Sequence, residues 1–409
     1  MFEFIKKNLL NKSIFTKIMK QRKFDLLIIG GGINGASIAR DASLRGLDVC
    51  IVEQNNFGSG ASSNSSKLAH GGLRYLESFE FNMVRKSLKE RDILLKTASK
   101  YVKPLEFIYP LYTFSKRPLW KVKIGLWLYS NLSKKSILPG YKILNPSSIH
   151  QLCPQIKSEN LVGGASYFDG QLNDKAMVLA NLKDAKKHNA EVHENSKVIK
   201  LLKKDSKISG VEILKNKKTY IINATCVINT TGAWTNQIAQ LDLKAYSPLV
   251  SPSKGVHIVL PNIDLKHAIV LETPQDRRIF FLIPWENKTL VGTTDTPYDG
   301  HPDDIEVTTE DVRYLLKAVN FYLKTRKFSY EDVITSFVGL RPLQKSTKKS
   351  SKISRDFTIF QSKSNLFHLF GGKYTSYRLM AEDAVDKIIV KLKSKKTFKK
   401  CITSEIELP

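Results

Sequence analysis

Two short apolar runs near the start of the chain enclose a stretch with helical periodicity. Asp25 to Ile29 and Asp48 to Val52 are apolar enough to form strands that are buried on both faces. Between them, apolar residues recur at mostly helical spacing over Ile33 to Leu44. The pattern predicts a strand, a tight glycine turn, a helix and a second strand, which together form a βαβ unit.

The rest of the chain mixes helical and alternating patterns. Helices are predicted over 76–103, over Asp174 to His188, over about Thr309 to Lys324, and from Thr375 onward. Thr308 is the predicted cap of the third helix, with Asp311 three residues on. Antiparallel strands are predicted for KVIKLLKK, KISGVEILK and KTYIINA, a buried strand for Cys226 to Trp234, antiparallel strands within Ser251 to Thr296, and a strand for Leu366 to Phe370. The chain is therefore predicted to be an α/β protein with a second, antiparallel sheet.

The glycine turn of the βαβ unit has the spacing GxGxxG. Gly30 lets the chain leave the first strand sharply, Gly32 leaves room for a pyrophosphate, and Gly35 lets the helix pack close to the sheet. Glu53 ends the second strand, where a carboxylate can accept hydrogen bonds from an adenosine ribose. The unit is thus interpreted as a dinucleotide site. The fingerprint does not separate FAD from NAD, but the acid argues against NADP.

Composition and net charge narrow the possible functions only slightly. The 409 residues are enough for two or three domains, and 42% hydrophobic residues is an ordinary globular value. The net charge of +27 suits nucleic acid, an anionic membrane or phosphorylated substrates, or else reflects lysines spread over the whole surface. The four cysteines are far apart, so neither a metal site nor a disulfide framework is indicated.

Two segments could contact a membrane. Residues 1–23 read either as a basic amphipathic helix lying on anionic lipid or as a frayed tail or targeting presequence. Leu119 to Leu132 is rich in aromatic residues and too short to span a bilayer. Its Trp120, Trp127 and Tyr129 either lie at the level of lipid headgroups or pack into the core.

A loop dense in glycine and serine, GSGASSNSSKLAHGGLRY, follows the βαβ unit. Such a composition is typical of a flexible linker. This loop also carries His70, Arg74 and Tyr75, and Ser65 and Ser66 can reach phosphate or ribitol hydroxyl groups. Functional loops on rigid scaffolds commonly look like this, so the loop is predicted to belong to a site.

The run GGGINGASIARDASLRGL followed by SSNSSKLAHGGLRYLE resembles the FAD-dependent, respiratory-chain glycerol-3-phosphate dehydrogenases, members of the larger D-amino-acid-oxidase-like flavoprotein group. The resemblance continues through RPLWKVKIGLWLYSNL, KGVHIVLP, IFFLIPWENKTLVGTTDTPY, VGLRPL, SRDFTIF and LFGGKYTSYRLMAEDA, and covers roughly residues 24 to 390. It implies an FAD-binding Rossmann-like domain and an antiparallel-sheet substrate domain. The further helical domain common in bacterial members is expected to be absent from this chain.

The resemblance also implies roles for individual residues. Arg74, Tyr75 and Arg355 are expected to bind the substrate phosphate, Arg341 and Lys373 the C2 oxygen, and either His257 or His70 is expected to act as the base. A histidine inside a strand is often structural, and both arginines could be surface residues, so these roles depend on the motif match. The implied cofactor positions are Gly30, Gly31, Gly32, Ile33, Asn34, Gly35, Glu53, Gln54, Ser65, Ser66, Lys67, Val198, Gly232, Gly372, Lys373, Tyr374 and Thr375.

The implied reaction is oxidation of sn-glycerol 3-phosphate to dihydroxyacetone phosphate, with hydride transfer from C2 to N5 of FAD and electrons passed to a membrane quinone. The alternatives are an oxidase that uses O2 and makes hydrogen peroxide, a non-catalytic flavin-binding membrane protein, and, from the fingerprint alone, an NAD-dependent dehydrogenase. The expected partners are glycerol 3-phosphate, a quinone and an anionic membrane surface, with no nucleic acid and a possible homodimer. The expected location is the cytoplasmic face of the inner membrane, as a peripheral protein, or the cytoplasm.

The expected domain limits follow from these assignments. They are a basic tail at 1–23, an FAD domain at 24–104, 146–244 and 337–395, a substrate domain at 105–145 and 245–336, and a second basic tail at 396–409.

Overall fold

The computed structural model describes residues 22–133, 136–243, 247–324, 326–345, 356–392 and 396–409. Most of the predicted N-terminal tail and the predicted phosphate ligand Arg355 lie outside the described residues. The strands are β1 Lys23–Ile29, β2 Val49–Val52, β3 Leu68–Ala69, β4 Val102–Tyr112, β5 Lys142–Leu144, β6 Leu161–Leu172, β7 Glu191–His193, β8 Lys197–Lys204, β9 Lys207–Lys215, β10 Lys218–Asn229, β11 Val250–Pro261, β12 Ala268–Glu272, β13 Ile279–Trp285, β14 Lys288–Gly292, β15 Thr296–Pro297, β16 Thr335–Gln344, β17 Phe357–Gln361 and β18 Leu366–Gly371. The helices are α1 Ile33–Leu44, α2 Phe81–Thr97, α3 Leu119–Leu132, α4 Pro146–Leu152, α5 Asp174–Lys187, α6 Thr235–Asp242, α7 Thr309–Tyr322 and α8 Tyr377–Leu392.

The first sheet contains the predicted βαβ unit. Its strand order is β17-β18-β10-β1-β2-β7, and the pairs from β18 to β7 are parallel. Helix α1 has the predicted bounds and packs against α5 and α8, which leaves most of its residues buried. The predicted βαβ unit within a parallel sheet is therefore confirmed.

One strand of this sheet is longer than the pattern predicts. KTYIINA and CVIN were predicted as separate strands, but they form the single strand β10. Its first half pairs with β9 in the antiparallel direction, and its second half pairs with β1 in the parallel direction. The predicted antiparallel pairing of β8, β9 and β10 is confirmed. The boundary inside β10 is wrong, because the strand continues without a break from Lys218 to Asn229 while its pairing partner changes from β9 to β1 at Asn223.

The second sheet is mainly antiparallel. Its order is β15-β11-β14-β13-β12-β4-β6-β3, with β16 on β11 and β5 on β6. Successive residues of β4 enter different cores: Ile108 packs in the core that includes α7, and Phe107 and Tyr109 pack in the core that includes α3. Because side chains alternate across a strand, the sheet is covered on both faces.

Two predicted elements differ in their limits. The helix predicted over 76–103 is only Phe81–Thr97, because residues Leu73–Ser78 form a 3-10 turn that ends at Phe79 with φ +58°. Helix α7 ends at Tyr322 but begins as predicted, with a capping box formed by Thr308 and Asp311.

The sheet topology differs from the expected domain limits at three strands. β3, β6 and β16 belong to the second sheet, although the expected FAD domain includes residues 68–69, 161–172 and 337–344. Residues 396–409 pack on the first domain and are not a free tail: Leu408 is buried, and the Leu408 amide donates to the Thr97 carbonyl. None of the helices in the described ranges has the length and apolar character that a membrane span needs.

Candidate active site

The turn into α1 forms a glycine cradle. Gly30 has φ +105°, and a Cβ atom there would lie 2.9 Å from the backbone of Thr230. A Cβ atom at Gly35 would overlap the carbonyl oxygen of Gly30. At Gly32 an added Cβ would meet only Ser62 Oγ, at 3.0 Å, because this residue faces the cavity described below. The three glycines thus occupy a sharp turn, a helix contact and a cavity wall.

Glu53 lies at the end of β2 and is held by backbone amides. Its carboxylate accepts hydrogen bonds from the Gly31 amide at 2.7 Å and the Asn55 amide at 2.8 Å. Burial raises the pKa of Glu53, and these two amides act in the opposite direction. The side chain lines the cavity and keeps acceptor capacity for a ligand hydroxyl.

One cavity of about 1090 Å³ extends from the glycine cradle to the second sheet. Nearly all of the predicted site residues within the described chain line it: Gly30, Gly32, Ile33, Asn34, Glu53, Gln54, Ser65, Ser66, His70, Arg74, Tyr75, Val198, Gly232, His257, Arg341, Gly372, Lys373, Tyr374 and Thr375. Residues that are 343 positions apart in the chain, Gly30 and Lys373, therefore share one space.

Three predicted cofactor residues do not line the cavity. Phe57 covers Gly31, and the Gly30 backbone covers Gly35. Lys67 is buried in an ion pair with Asp174, with Nζ at 2.7 Å from Oδ2, and it also donates to the Ser63 carbonyl. Lys67 therefore fixes the serine-rich loop against the start of α5.

Arg74 and Lys373 both lie on the ring of Tyr75. The Arg74 Nη2 donates to the Tyr75 hydroxyl at 3.2 Å, and its Cζ is 4.9 Å from the ring centroid. The Lys373 Nζ is 4.7 Å from the same centroid and donates to the Gly71 carbonyl at 3.1 Å. Burial lowers the pKa of Lys373 to about 8. Two half-buried cations are thus held side by side on one ring in the cavity.

His257 is buried and His70 is half-buried, and the pKa of each imidazole lies well below neutral pH. Burial, and then the charges of Lys373 and Arg74, lowers the pKa of His70 to about 3. Burial, and then Arg341 and Lys67, lowers the pKa of His257 to about 3. A neutral imidazole can accept a proton, so either ring meets the first requirement for a base.

His257 has a defined partner on one side only. Its Nε2 shares a hydrogen bond of 2.8 Å with Ser66 Oγ, and its ring stacks on Phe337 with centroids 5.0 Å apart. Its Nδ1 is buried, and no partner for it lies among the described residues.

Arg341 crosses the strand β11 next to this histidine. Its Nη2 donates to Thr293 Oγ1 at 2.8 Å, and its Nη1 lies 3.5 Å from Asp295 Oδ1. A Cβ atom at Gly255 would overlap the guanidinium group, so only glycine leaves room for Arg341 in this position.

Several charged residues of the cavity were not predicted. They include Arg117, Arg278, Asp295 and Glu77. Asp295 lies 3.3 Å from the Arg278 guanidinium as well as beside Arg341. Sequence signals exist for three of these residues, because Asp295 lies in GTTD, Glu77 ends the motif HGGLRYLE and Arg117 begins RPLWKV. Arg278 lies in none of the motifs and meets the site only through tertiary contacts.

The fold and the cavity define a nucleotide-dependent oxidoreductase of the two-sheet type. Residues 25–383 match the family described as "FAD dependent oxidoreductase". Glycerol-3-phosphate dehydrogenase from Synechocystis sp. is 37% identical over 90% of this chain and 70% of the relative. Aerobic glycerol-3-phosphate dehydrogenase from Bacillus subtilis is 36% identical over 95% of this chain and 71% of the relative.

Solved structures agree with these relatives. Glycerol-3-phosphate dehydrogenase from Bacillus halodurans, complexed with FAD, has a TM-score of 0.79 and 31% identity over 97% of this chain and 70% of that chain. L-alpha-glycerophosphate oxidase from Mycoplasma pneumoniae, with FAD bound, shares the fold with a TM-score of 0.71 at 18% identity, over 95% of this chain and 100% of that chain. This protein belongs to the family of FAD-dependent oxidoreductases to which the glycerol-3-phosphate dehydrogenases also belong.

The residues of the cavity fit FAD. The glycine positions leave backbone exposed where a side chain would overlap its neighbours, and α1 directs its N-terminus toward the same space. Glu53 lies at the end of β2, at the position of a ribose ligand. Gly371 and Gly372, with φ +77° and +78°, lead into the 3-10 turn Tyr374–Ser376 at the opposite wall. The predicted FAD cofactor is therefore consistent with both the family and the cavity.

Proposed function

We propose that the protein oxidises the C2 hydroxyl of sn-glycerol 3-phosphate, with FAD as cofactor, and delivers the electrons to a membrane quinone. The observation that carries this proposal is the cluster of Arg74, Lys373 and Arg341 around one cavity that also contains two neutral histidines. A dianionic phosphate and a hydroxyl that must lose a proton need this combination of groups.

The phosphate is assigned to Arg74 and Tyr75, with Arg355 as a third expected ligand outside the described residues. Arg74 is oriented by the Tyr75 hydroxyl, which leaves part of its fork available for oxygen ligands. Because the side chain is surrounded by protein, its interaction with a phosphate is only weakly screened by solvent.

The C2 oxygen is assigned to Arg341 and Lys373, which would stabilise negative charge as the hydroxyl is oxidised. The proton is assigned to His257 or His70. His257 is supported by its bond to Ser66 and its place in the cavity wall. His70 is supported by its position next to Gly71, whose carbonyl contacts Lys373, and by the Thr375 hydroxyl that fixes the His70 backbone. When bound, FAD supplies the acceptor for the hydride that leaves C2.

A quinone acceptor is supported by apolar residues of the cavity wall. Val122, Ile124 and Leu128 of α3 and the rings of Phe79 and Phe81 line the cavity. Trp120 and Trp127 of the same helix are 65% and 55% exposed. Tyr129, in contrast, is buried and donates to Asp169. The helix thus buries one side and exposes aromatic residues on the other, as expected for a peripheral membrane enzyme.

Anaerobic mixing of the purified holoprotein with glycerol 3-phosphate tests the proposal. We expect the absorbance of the oxidised flavin to disappear, and to return much faster with a soluble quinone than with air. Recovery in air with release of hydrogen peroxide would identify an oxidase instead. No bleaching by glycerol 3-phosphate would disprove the proposed substrate.

A further inference from the structure

The turn that carries Arg74 is bounded by two residues with left-handed backbone conformation. Leu73–Ser78 forms a single 3-10 turn, Gly72 before it has φ +83°, and Phe79 after it has φ +58°. Within the turn, the Tyr75 amide donates to the Gly72 carbonyl and the Phe79 amide to the Leu76 carbonyl. So short a segment has few internal hydrogen bonds to hold it in place.

An ion pair connects this turn to the second sheet. Glu77 lies in the same turn as Arg74 and receives both arms of the Arg117 guanidinium, with Nε–Oε1 at 2.8 Å and Nη2–Oε2 at 2.9 Å. Lys121 of α3 adds a contact of 3.2 Å to Glu77 Oε1. A bidentate pair of this kind fixes direction as well as distance.

The arginine of this pair is anchored on its other side. Arg117 Nη1 donates at 2.6 Å to Glu272, a carboxylate at the end of β12 whose side chain is 2% exposed. Glu272 also accepts from the Lys116 amide at 2.8 Å. A continuous series of contacts therefore runs from β12 through Glu272 and Arg117 to Glu77.

We propose that Glu77 and Arg117 are positioning residues that hold the Arg74–Tyr75 turn against the cavity so that Arg74 can bind the substrate phosphate. This inference rests on the proposed function. Neither residue is assigned a direct contact with the substrate. They affect substrate binding by fixing the orientation of the turn, and therefore of Arg74.

The pair is suited to this task by its environment. Burial acts to raise the pKa of Glu77, but its hydrogen bonds to Arg117 and Lys121 outweigh that effect and keep the pKa below its usual value. The carboxylate is therefore charged throughout the neutral range. The Glu77 side chain is 33% exposed, so the pair can be weakened without leaving a deeply buried charge unpaired.

The variant Glu77→Gln keeps the size of the side chain and removes its charge. We expect its KM for glycerol 3-phosphate to rise by about tenfold, with kcat within about twofold of wild type. The phosphate lies away from the reacting carbon, so a weaker contact between Arg74 and the phosphate lowers binding equally in the ground state and the transition state. Glu77→Asp keeps the charge and should restore part of the affinity. Glu310→Gln, an exposed carboxylate on α7, is the matched control and should change neither constant.

Amide hydrogen exchange of the holoprotein supplies a readout that does not depend on the substrate. In Glu77→Gln, the amides of Phe79 and Glu80 should exchange about tenfold faster, while those of α8 keep the wild-type rate. An unchanged KM with unchanged exchange would overturn the inference. So would loss of bound flavin with equal falls in kcat and kcat/KM, which indicates a general structural defect. If wild-type flavin is not reduced by glycerol 3-phosphate, the proposed function fails, and the exchange rates still decide whether Glu77 holds the turn.

Discussion

At the scale of single residues, burial decides which charges the cavity presents. The ammonium group of Lys373 is surrounded by Tyr75, the Gly71 carbonyl and Arg74, and loss of hydration lowers its pKa to about 8, although Tyr75 and Asp169 act to raise it. The same loss of hydration keeps His70 and His257 neutral. The cavity therefore combines positive charge for an anion with unprotonated rings at neutral pH.

The pH dependence of kcat/KM should report Lys373. As pH rises through about 8, the free enzyme loses this positive charge, so its affinity for a dianionic substrate should fall with an apparent pKa near 8. In Lys373→Met, kcat/KM should be low at pH 7 and should lack this alkaline limb. Lys215→Met is the control, because burial lowers the pKa of Lys215 as well but the side chain lies on β9. An alkaline limb that persists in Lys373→Met would assign it to another group.

At the scale of elements, the position of α1 depends on the absence of side chains at its start. The helix begins at Ile33 directly after the strand β1, and its first residues lie against Gly30 and Thr230. Close contact between helix and turn brings the positive end of the helix to the cavity. The same spacing that identifies the fingerprint in the sequence is thus a packing requirement in the fold.

Substitution of Gly35 by alanine tests this requirement. The added methyl group would overlap the Gly30 carbonyl, so either the helix or the turn must move. We expect a loss of stability of about 3 kcal/mol or more and a purified protein with little bound flavin. Gly140→Ala is the matched control, because a Cβ atom there meets nothing within 4 Å. Flavin content and the thermal midpoint are the measurements, and normal flavin binding by Gly35→Ala would contradict the packing argument.

At the scale of the whole molecule, the two sheets and α3 contribute to the wall of one cavity. The first sheet contributes the glycine cradle, the second contributes His257 and Arg341, and α3 contributes Val122, Ile124 and Leu128. Lys121 and Lys123 are exposed next to Trp120 and Trp127. A surface that combines aromatic and basic side chains suits the contact with anionic lipid that the proposed function requires.

The double substitution Trp120→Ser and Trp127→Ser should weaken binding to anionic vesicles by about tenfold or more, because two interfacial anchors are removed. Activity with a soluble quinone should be retained, since neither ring lines the cavity. Val390→Ser with Leu179→Ser removes two exposed apolar side chains elsewhere and serves as the control. Vesicle sedimentation is the measurement. Equal binding by both double variants would show that α3 is not the membrane contact.

The strongest sequence signals are local, and these were predicted well. The glycine fingerprint and its flanking apolar runs predict β1, α1 and β2 nearly to the residue, and Thr308 with Asp311 predicts the start of α7. The failures are also local in origin. The turn that precedes Phe81 has no clear sequence pattern. The change of partner inside β10 has none either, because alternation looks alike in parallel and antiparallel pairs.

What the sequence determined by itself is the set of residue types and short-range geometries: a glycine turn before a helix, an acid after a strand, and histidine, arginine and lysine in motifs whose family is recognisable. What only the tertiary structure decided is which of these share a space and in what charge state. Lys67 and Arg341 illustrate the difference, since one pairs with Asp174 outside the cavity and the other crosses β11 beside His257. The physical reason is that burial, ion pairing and long-range strand pairing depend on contacts between segments far apart in the chain, whereas turn and helix signals depend on neighbours.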